Sequence, residues 1–242
     1  MAATKAPPVS HRLAEHLRRN IEGEVLFDSF SRGRYSTDAS MYQIEPVGVV
    51  VPRTEDDVRA ALEIAREEGV TLLPRGGGTS QSGQTVGRSL VIDFTKHLNR
   101  IIEADTDART AIVQPGIVLD ELNRQLRARG LWFPVDVSTS SRATIGGMTG
   151  NNSCGTRSIR YGIMRDNVLA IDAILPDGSE ARFGEVGHNL APLASTRSPP
   201  RHAEGVSSTR REGSSRDVRR KRRLRPHSPC SPSPRWQPAG AR

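Results

Sequence analysis

Residues 74–84 constrain the fold of this chain more than any other segment, and they read Pro-Arg-Gly-Gly-Gly-Thr-Ser-Gln-Ser-Gly-Gln. Three successive glycines, Gly76 to Gly78, cannot fill a core, and they weaken a helix or a strand because glycine loses the most backbone freedom on ordering. An apolar run, residues 70–73, precedes them, and hydroxyl and amide side chains follow. The pattern therefore predicts a strand followed by a loop whose backbone N–H groups bind an anion, with phosphate as the obvious candidate.

Two common phosphate-binding loops do not match this segment. From Gly78 onward the glycine spacing is that of the nucleoside-triphosphate loop, but Gln84 stands where that loop needs a lysine. Gln81 stands where the dinucleotide fingerprint needs its third glycine, and no helical pattern follows. Triphosphate hydrolysis is disfavoured, and a flexible loop without a ligand remains the alternative.

The positive charge of the chain belongs to its last residues. The formal net charge is +8, but residues 188–242 carry 13 Lys+Arg against 3 Asp+Glu, whereas residues 1–187 carry 22 against 24. A basic groove on the folded part is therefore not indicated, and we expect no nucleic-acid partner there. The basic run 219–225 would be the only support for a nucleic-acid-binding function.

Cysteine content and hydropathy indicate the compartment. Two cysteines, Cys154 and Cys230, are too few for a disulfide framework, and neither belongs to a metal-binding spacing, so no metal site is predicted. No apolar run approaches the roughly 20 residues of a membrane-spanning helix, and the first ten residues lack a hydrophobic signal core. A cytoplasmic protein is expected, and a protein held at the membrane by a partner is the alternative.

Hydrophobic periodicity predicts an α/β subdomain around the glycine loop. An amphipathic surface helix is predicted over 11–25 and an aperiodic lead-in over 27–46. A strand at 47–51, a capped helix at 54–68 and a strand at 70–73 form a parallel βαβ unit, with a third strand at 90–94. The second strand then carries the glycine loop at its carboxyl end, where open α/β sheets bind ligands.

A second, mixed subdomain is predicted from the following residues. They comprise a hairpin of 101–105 with 110–114, a helix at 118–129, a polar loop at 135–142 and a hairpin of 168–175 with 179–183. Between them lies a second small-residue segment, 143–155, which is too rich in glycine to form core. The predicted fold class is α+β (α/β), with a small βαβ subdomain and a mixed-sheet subdomain. One ligand between the two glycine segments is the economical interpretation.

Five motifs in a single order resemble a known family: Arg75-Gly-Gly-Gly-Thr-Ser, Gln114-Pro-Gly, Ala143-Thr-Ile-Gly-Gly, Asn151-Asn-Ser-Cys-Gly and Arg160-Tyr-Gly. This order resembles the FAD-binding domain of the vanillyl-alcohol oxidase and para-cresol methylhydroxylase type, in its glycolate oxidase and D-lactate dehydrogenase branch. The resemblance covers about residues 25–183. The lead-in 31–42 looks closest to large bacterial D-2-hydroxyacid dehydrogenases that carry an iron–sulfur module.

The resemblance implies FAD as the cofactor, held by two groups of residues. The first loop, wrapped around the pyrophosphate, would supply Arg75, Gly76, Gly77, Gly78, Thr79, Ser80, Ser82 and Gly83. The second segment and its neighbours would supply Asp136, Thr144, Gly146, Gly147, Asn151, Ser153, Gly155, Tyr161 and Gly162. Close packing is the alternative role for Gly146 and Gly147, and a core position is the alternative for Tyr161. Cys154 is expected to be a buried, inert thiol rather than a flavin tether.

The resemblance also implies what the chain does not contain. After residue 187 the family pattern stops and a sequence rich in Ser, Pro and Arg begins, with 8 of the 16 prolines in the last 55 residues. We predict an N-terminal helix within 1–24, an incomplete FAD-binding domain over 25–187, and a disordered basic tail over 188–242. The resemblance places the substrate domain, with its general base and substrate-binding arginines, beyond this segment, so no catalytic residue is assigned.

Two functions follow from the resemblance. The first is the FAD-binding part of an oxidoreductase that oxidises a D-2-hydroxy acid of the lactate, glycolate or 2-hydroxyglutarate class by hydride transfer to flavin N5, with an iron–sulfur module as a candidate electron acceptor. The second is a flavin-binding fragment without catalytic activity.

Overall fold

A computed structural model describes residues 11–184 and 225–226 of the chain. In the first half, the elements alternate between short helices and strands. They are α1 (His11–Asn20), β1 (Glu24–Leu26), α2 (Ser29–Arg34), β2 (Gly48–Val51), α3 (Glu55–Glu67), β3 (Leu72–Arg75) and β4 (Leu90–Asp93).

A four-stranded mixed sheet organises this half, in the order β1-β2-β4-β3. β4 is parallel to both of its neighbours, with Leu90 opposite Gly48 of β2 and opposite Leu72 of β3. Since β2 and β4 are buried along their whole length, their continuous apolar runs match a sheet covered on both faces. The predicted βαβ unit is present, but β4 lies between its two strands.

The first core lies between this sheet and two helices. Leu13, Leu17 and Ile64 from α1 and α3 pack with Val50 and Leu90 of the sheet. α3 begins at a capping box, in which Thr54 accepts from the N–H of Asp57 and the Asp57 carboxylate accepts from the N–H of Thr54. The predicted boundaries of α3 are thus confirmed, and α1 buries its apolar face in this core.

Two elements of the first half differ from the prediction. The helix predicted over 11–25 ends at Asn20, and Glu24–Leu26 instead pairs antiparallel with β2. The lead-in, predicted to be aperiodic, contains α2, whose first turn is capped by the Asp28 carboxylate accepting from the N–H of Ser31. β1 and α2 are both short, and both contact β2, which is distant in sequence, so local patterns did not predict them.

The second half contains paired strands and mostly short helices. The elements are β5 (Ile101–Asp105), β6 (Thr110–Val113), α4 (Leu119–Arg127), β7 (Leu131–Trp132), α5 (Ile145–Gly150), α6 (Ser158–Tyr161), α7 (Met164–Asn167), β8 (Ala170–Ile174), β9 (Glu180–Gly184) and β10 (Arg225–Pro226). β5 pairs with β6 and β8 with β9, both antiparallel, so both predicted hairpins are confirmed.

A second core, separate from the first, fills this half. It contains Ile117, Leu126 and Val135 together with Ile145 and Met148 of α5. The expectation that residues 143–155 are too rich in glycine to form core was wrong, because the glycines of α5 are interleaved with buried apolar side chains on one face. The predicted α+β class, with its two subdomains, is confirmed by the mixed sheet and the two cores.

The predicted disordered tail lies outside the described residues, except for β10, which pairs antiparallel with β7. Across residues 11–184 and 225–226, no helix has the length and apolar character needed to cross a membrane. Within the same ranges, no cluster of three or more His, Cys, Asp or Glu side chains could hold a metal ion.

Candidate functional site

The glycine loop begins where β3 ends, as the sequence predicts. Arg75 is the last residue of β3 and lies opposite Asp93 of β4, whose following residue, Phe94, donates its N–H to the Arg75 carbonyl at 3.2 Å. Gly78, at φ +63°, adopts a backbone conformation that other residues rarely take. The loop is therefore fixed at the carboxyl edge of a parallel sheet, the edge at which open α/β sheets bind ligands.

The backbone donors of this loop are free to bind a ligand. Among the described residues, no protein group accepts a hydrogen bond from the N–H groups of residues 76–80. Backbone N–H groups normally find an acceptor in the protein, in water or in a ligand. A continuous run of such donors in a glycine-rich turn fits the oxygens of a diphosphate, which is the part of FAD that the loop was expected to hold.

The two glycine segments contact each other directly. A Cβ atom on Gly76 would overlap the Thr144 hydroxyl, and one on Gly77 would overlap the carbonyl oxygen of Arg142. Further along, the Gln84 amide donates to the Asn151 side-chain oxygen at 3.3 Å. The convergence expected from the sequence is present. It also explains Gly76 by the closeness of the Thr144 side chain and Gly77 by the closeness of the backbone at Arg142.

The second segment uses its own backbone donors within the protein. Thr144 is buried and caps α5 by accepting from the N–H of Gly147, while Ile145 donates to the Ile117 carbonyl. Gly146 donates to the Pro115 carbonyl, and a Cβ on Gly146 would lie 2.6 Å from the Pro115 Cβ. Gly146 therefore serves close packing on the Gln114-Pro-Gly motif, which was its alternative role.

Arg75 binds protein carbonyls. Its guanidinium donates to the carbonyl oxygens of Tyr35 at 3.2 Å, Thr37 at 2.7 Å and Thr85 at 3.0 Å. Burial lowers the pKa of Arg75, while the charge of Asp93 opposes that shift. Arg75 thus joins the lead-in to the two ends of the glycine loop and holds the shape of the loop.

A half-buried tyrosine paired with a buried aspartate lies behind this arginine. The Tyr35 hydroxyl donates to Asp93 at 2.6 Å, and the Arg75 guanidinium carbon lies 5.3 Å from the centre of the Tyr35 ring. Burial, together with this bond to a carboxylate, raises the pKa of Tyr35 well above its ordinary value. The sequence prediction missed this pair, since 58 residues separate the partners.

Hydroxyl groups of the loop organise its second half. Ser80 hydrogen-bonds the Gln84 side chain and also accepts from the N–H of Ser82 at 3.2 Å, which forms a local side-chain turn. Gly83 then adopts φ +72°. Ser80 and Ser82 therefore shape the loop, and Thr79 lies between them and the glycines, partly buried.

Asp136 fixes the end of the second segment. Its carboxylate accepts from the Thr156 hydroxyl at 2.7 Å and from the N–H of Arg157 at 2.9 Å. Burial opposes the charged form, but these hydrogen bonds outweigh it and lower the pKa of Asp136. A Cβ on Gly155 would overlap the Asp136 carbonyl, so Gly155 allows the two chain segments to meet.

The residues around Cys154 correct one expectation. Ser153 is buried and its hydroxyl accepts from the Asn151 amide at 3.2 Å, whereas Asn151 itself is exposed. Cys154 is exposed, so the prediction of a buried thiol was wrong. Both neighbours of the cysteine are held by the protein, Ser153 through Asn151 and Gly155 through its contact with Asp136, and this leaves the thiol side chain outside.

Tyr161 belongs to an aromatic and cationic cluster. Its ring meets Trp132 edge to face, with ring centroids 5.3 Å apart, and Arg157 and Arg160 lie over the two rings. Gly162 follows at φ +82° and turns the chain towards α7. Tyr161 is partly buried against protein, which agrees with its alternative role as a packed aromatic.

A cavity of about 500 Å³ lies elsewhere, beside α4. Its lining includes Thr95, Arg100, Gly116 and Gln125, and none of its lining residues belongs to the predicted site. The glycine loop does not line this cavity, and what it offers to a ligand is its run of backbone N–H donors.

A family model described as FAD binding domain matches residues 46–184, which is more than half of the chain. The chain belongs to this FAD-binding domain family. The matched range contains the glycine loop, the second segment and Tyr161. FAD is therefore the cofactor of the fold, as the sequence motifs implied.

The relatives include two kinds of enzyme. D-2-hydroxyglutarate dehydrogenase of Pseudomonas putida is 38% identical over 181 residues, which is 73% of this chain and 18% of that protein. Glycolate oxidase subunit GlcD of Bacillus subtilis is 38% identical over 169 residues, 68% of this chain and 36% of that protein. The chain thus spans about a fifth and about a third of the length of these two curated relatives.

Solved structures support the same fold. Alkyldihydroxyacetonephosphate synthase is similar with a TM-score of 0.67 and 23% identity, over 78% of this chain and 37% of that chain. The 6-hydroxy-D-nicotine oxidase of Arthrobacter nicotinovorans is similar with a TM-score of 0.60 and 20% identity, over 74% of this chain and 37% of that chain. At these identities the likeness concerns the fold alone.

Proposed function

We propose that this chain is the FAD-binding part of a flavin-dependent oxidoreductase that oxidises a D-2-hydroxy acid by hydride transfer to flavin N5. The observation that carries the proposal is the run of N–H donors over residues 76–80, which have no acceptor in the part of the chain that the structure describes and lie at the carboxyl end of β3 against the second glycine segment. The substrate class, lactate, glycolate or 2-hydroxyglutarate, rests on the dehydrogenase and oxidase relatives.

The residues of this chain bind and orient the cofactor. The N–H groups of residues 76–80 would hold the diphosphate, and Arg75 keeps that loop closed by binding carbonyls on both sides of it. Thr144 and Asn151 belong to the second segment, whose contact with the loop fixes the width of the site. When bound, FAD supplies the hydride-accepting ring that protein side chains lack.

No catalytic residue is assigned among the described residues. The general base and the groups that bind the substrate carboxylate are proposed to lie in a substrate domain, and an iron–sulfur module is proposed as a candidate electron acceptor. A cytoplasmic location and the absence of a nucleic-acid partner stay predictions from the sequence.

A flavin-binding unit without catalytic activity is the second candidate. It accords with the described residues, among which no catalytic residue is assigned; the chain spans 18% of the dehydrogenase and 36% of the oxidase subunit. The two candidates share the cofactor and differ in whether this chain reduces it with a hydroxy acid.

A visible absorption spectrum of the purified protein tests both candidates. We expect flavin absorption bands, either directly or after FAD is added to folded protein. Bleaching of these bands on anaerobic addition of D-lactate, glycolate or D-2-hydroxyglutarate would select the oxidoreductase, and unchanged bands would select the non-catalytic unit. A folded protein that binds no FAD would contradict both.

A further inference from the structure

Residues 37–43 form a compact turn, here named the lead-in turn, of which only the Thr37 carbonyl, bound by Arg75, belongs to the site described so far. A bridge between Thr37 and Gln43 closes it. Inside it, the Asp38 carboxylate accepts from the N–H of Ser40 at 2.8 Å, and the Ser40 hydroxyl accepts from the N–H of Tyr42 at 3.1 Å. These bonds give the turn a defined shape without a regular element.

The lead-in turn is fixed to the glycine loop at several points. The N–H of Ala39 donates to the Gly78 carbonyl at 3.2 Å, and the Thr85 hydroxyl donates to Asp38 at 3.0 Å. Arg75 adds its 2.7 Å bond to the Thr37 carbonyl. The turn therefore keeps a fixed position relative to the backbone donors of residues 76–80.

The tip of the turn presents two large apolar side chains, and one of them lies against the second half of the glycine loop. Met41 is 91% exposed and Tyr42 is 53% exposed. One edge of the Tyr42 ring lies 2.6 Å from the position that a Cβ on Gly83 would take, so Gly83 provides the space for this ring. The rest of the ring is exposed to solvent. Covering this part of the ring with another group would be energetically favourable.

We propose that the exposed part of the Tyr42 ring stacks against a planar ring of the bound dinucleotide. The lead-in turn would then be the third segment that contacts the cofactor, after the glycine loop and the second glycine segment. This inference rests on the proposed function. A diphosphate on residues 76–80 has a ring system on each side of it in FAD, and the lead-in turn contacts the loop at Gly78, within the donor run. Because hydrogen bonds fix the turn that carries it, an aromatic side chain there contributes stacking at a lower cost in ordering than one on a flexible segment.

The test compares FAD affinity among variants of the full chain, measured by the change of flavin fluorescence on titration. Tyr42→Ala and Tyr42→Leu are expected to weaken FAD binding about tenfold, the factor that corresponds to a single lost ring stack. Tyr42→Leu still covers Gly83, so its loss reports the ring rather than the packing of the turn. Tyr42→Phe, which keeps the ring, is expected to bind as the parent protein does.

Phe30→Ala is the matched control, because Phe30 is 74% exposed on α2 and belongs to no part of the site. It should leave the affinity unchanged. The same titration with ADP as a competitor identifies the ring: a loss shared by ADP assigns adenine, and a loss confined to FAD assigns the flavin. Both results support the proposal.

The two hypotheses fail in different ways. If the parent protein is folded and binds no FAD, the proposed function is wrong. If the parent binds FAD and Tyr42→Leu binds it equally well, or if Tyr42→Phe loses as much affinity as Tyr42→Leu, the ring contact is wrong and the proposed function stands. Circular dichroism confirms that each variant is folded.

Discussion

At Gly77 the backbone of one glycine segment meets the backbone of the other. Its neighbour Gly78 needs glycine for its positive φ, but Gly77 needs it for space, since the Arg142 carbonyl occupies the position of a side chain. A side chain at residue 77 must therefore separate the two segments. The spacing of the two segments therefore depends on this contact, together with those of Gly76 with Thr144 and of Gln84 with Asn151.

Replacing Gly77 by Val is expected to abolish FAD retention. The β-branched side chain would push residue 142 away and would also restrict the backbone of the loop. The measurement is the flavin absorbance of purified protein, relative to its absorbance at 280 nm. A Gly77→Val protein that keeps FAD at parental affinity would show that the contact between the segments does not matter.

Gly33→Ala is the control for that substitution. Gly33 lies in α2, and a Cβ placed there would have no heavy atom within 4 Å. Alanine should raise the free energy of unfolding by about 0.5–1 kcal/mol, because glycine weakens a helix interior, and FAD retention should not change.

At the scale of elements, α3 depends on one buried carboxylate. Asp57 is 3% exposed and accepts from the N–H groups of Glu22 at 2.9 Å and Arg53 at 2.7 Å, in addition to its part in the capping box. It therefore ties the start of α3 to the segment between α1 and β1. No other residue of that helix joins so many backbone donors.

Asp57→Ala is expected to lower the free energy of unfolding by about 2–4 kcal/mol, since it removes the cap and leaves buried donors without an acceptor. Urea denaturation followed by circular dichroism measures this. Asp56→Ala, one residue earlier and with a side chain 91% exposed, should cost less than about 1 kcal/mol. Equal losses in the two variants would contradict the role given to Asp57.

Elements with strong local signals could be predicted from the sequence. α3 has its Thr54 cap and an apolar face, and both hairpins have polar turns between apolar strands. β1, α2 and α5 could not be predicted in this way. β1 has only three residues and forms by pairing with β2. α5 contains a Gly-Gly pair that disfavours a helix prediction, and the helix is stabilised by the buried side chains of Ile145 and Met148.

The candidate site was predictable in place but not in detail. The strand before Gly76 follows from a local pattern. The convergence of the two glycine segments was inferred from the presence of two such segments in one chain. The bonds of Arg75 to Tyr35 and Thr37 do not, because they join residues that are 40 and 38 positions apart. Tertiary contacts of this kind leave no local pattern, so the lead-in was predicted only as an aperiodic segment.

At the scale of the whole molecule, both hairpins of the second half carry exposed apolar side chains. Ile102 and Ile112 of β5 and β6 are 59% and 52% exposed, and Phe183 of β9, opposite Ile171 of β8, is 52% exposed. Each hairpin has only two strands among the described residues, so these strands also have open edges. Apolar faces with open edges favour association between copies.

We expect the chain to self-associate as its concentration rises, and we expect Ile171→Thr with Phe183→Thr to weaken this association. Threonine keeps the strand preference while it removes apolar surface. Sedimentation velocity over a range of concentrations measures the effect. Ile159→Ser, at an isolated and almost fully exposed position on α6, should change the association little. A parent protein that stays monomeric throughout would contradict the expectation.

The order β1-β2-β4-β3 also sets a sequence of events during synthesis. β3 leaves the ribosome before β4, yet its hydrogen-bonded neighbour is β4. Until residue 93 has emerged, residues 72–75 have no strand to pair with, although α1, β1, β2 and α3 are already complete. The nascent sheet can therefore extend beyond β2 only after β4 has paired with β2. β3 then pairs with β4 and is the last strand to join. The glycine loop, which lies between these two strands, acquires fixed ends and hence its shape in that last step.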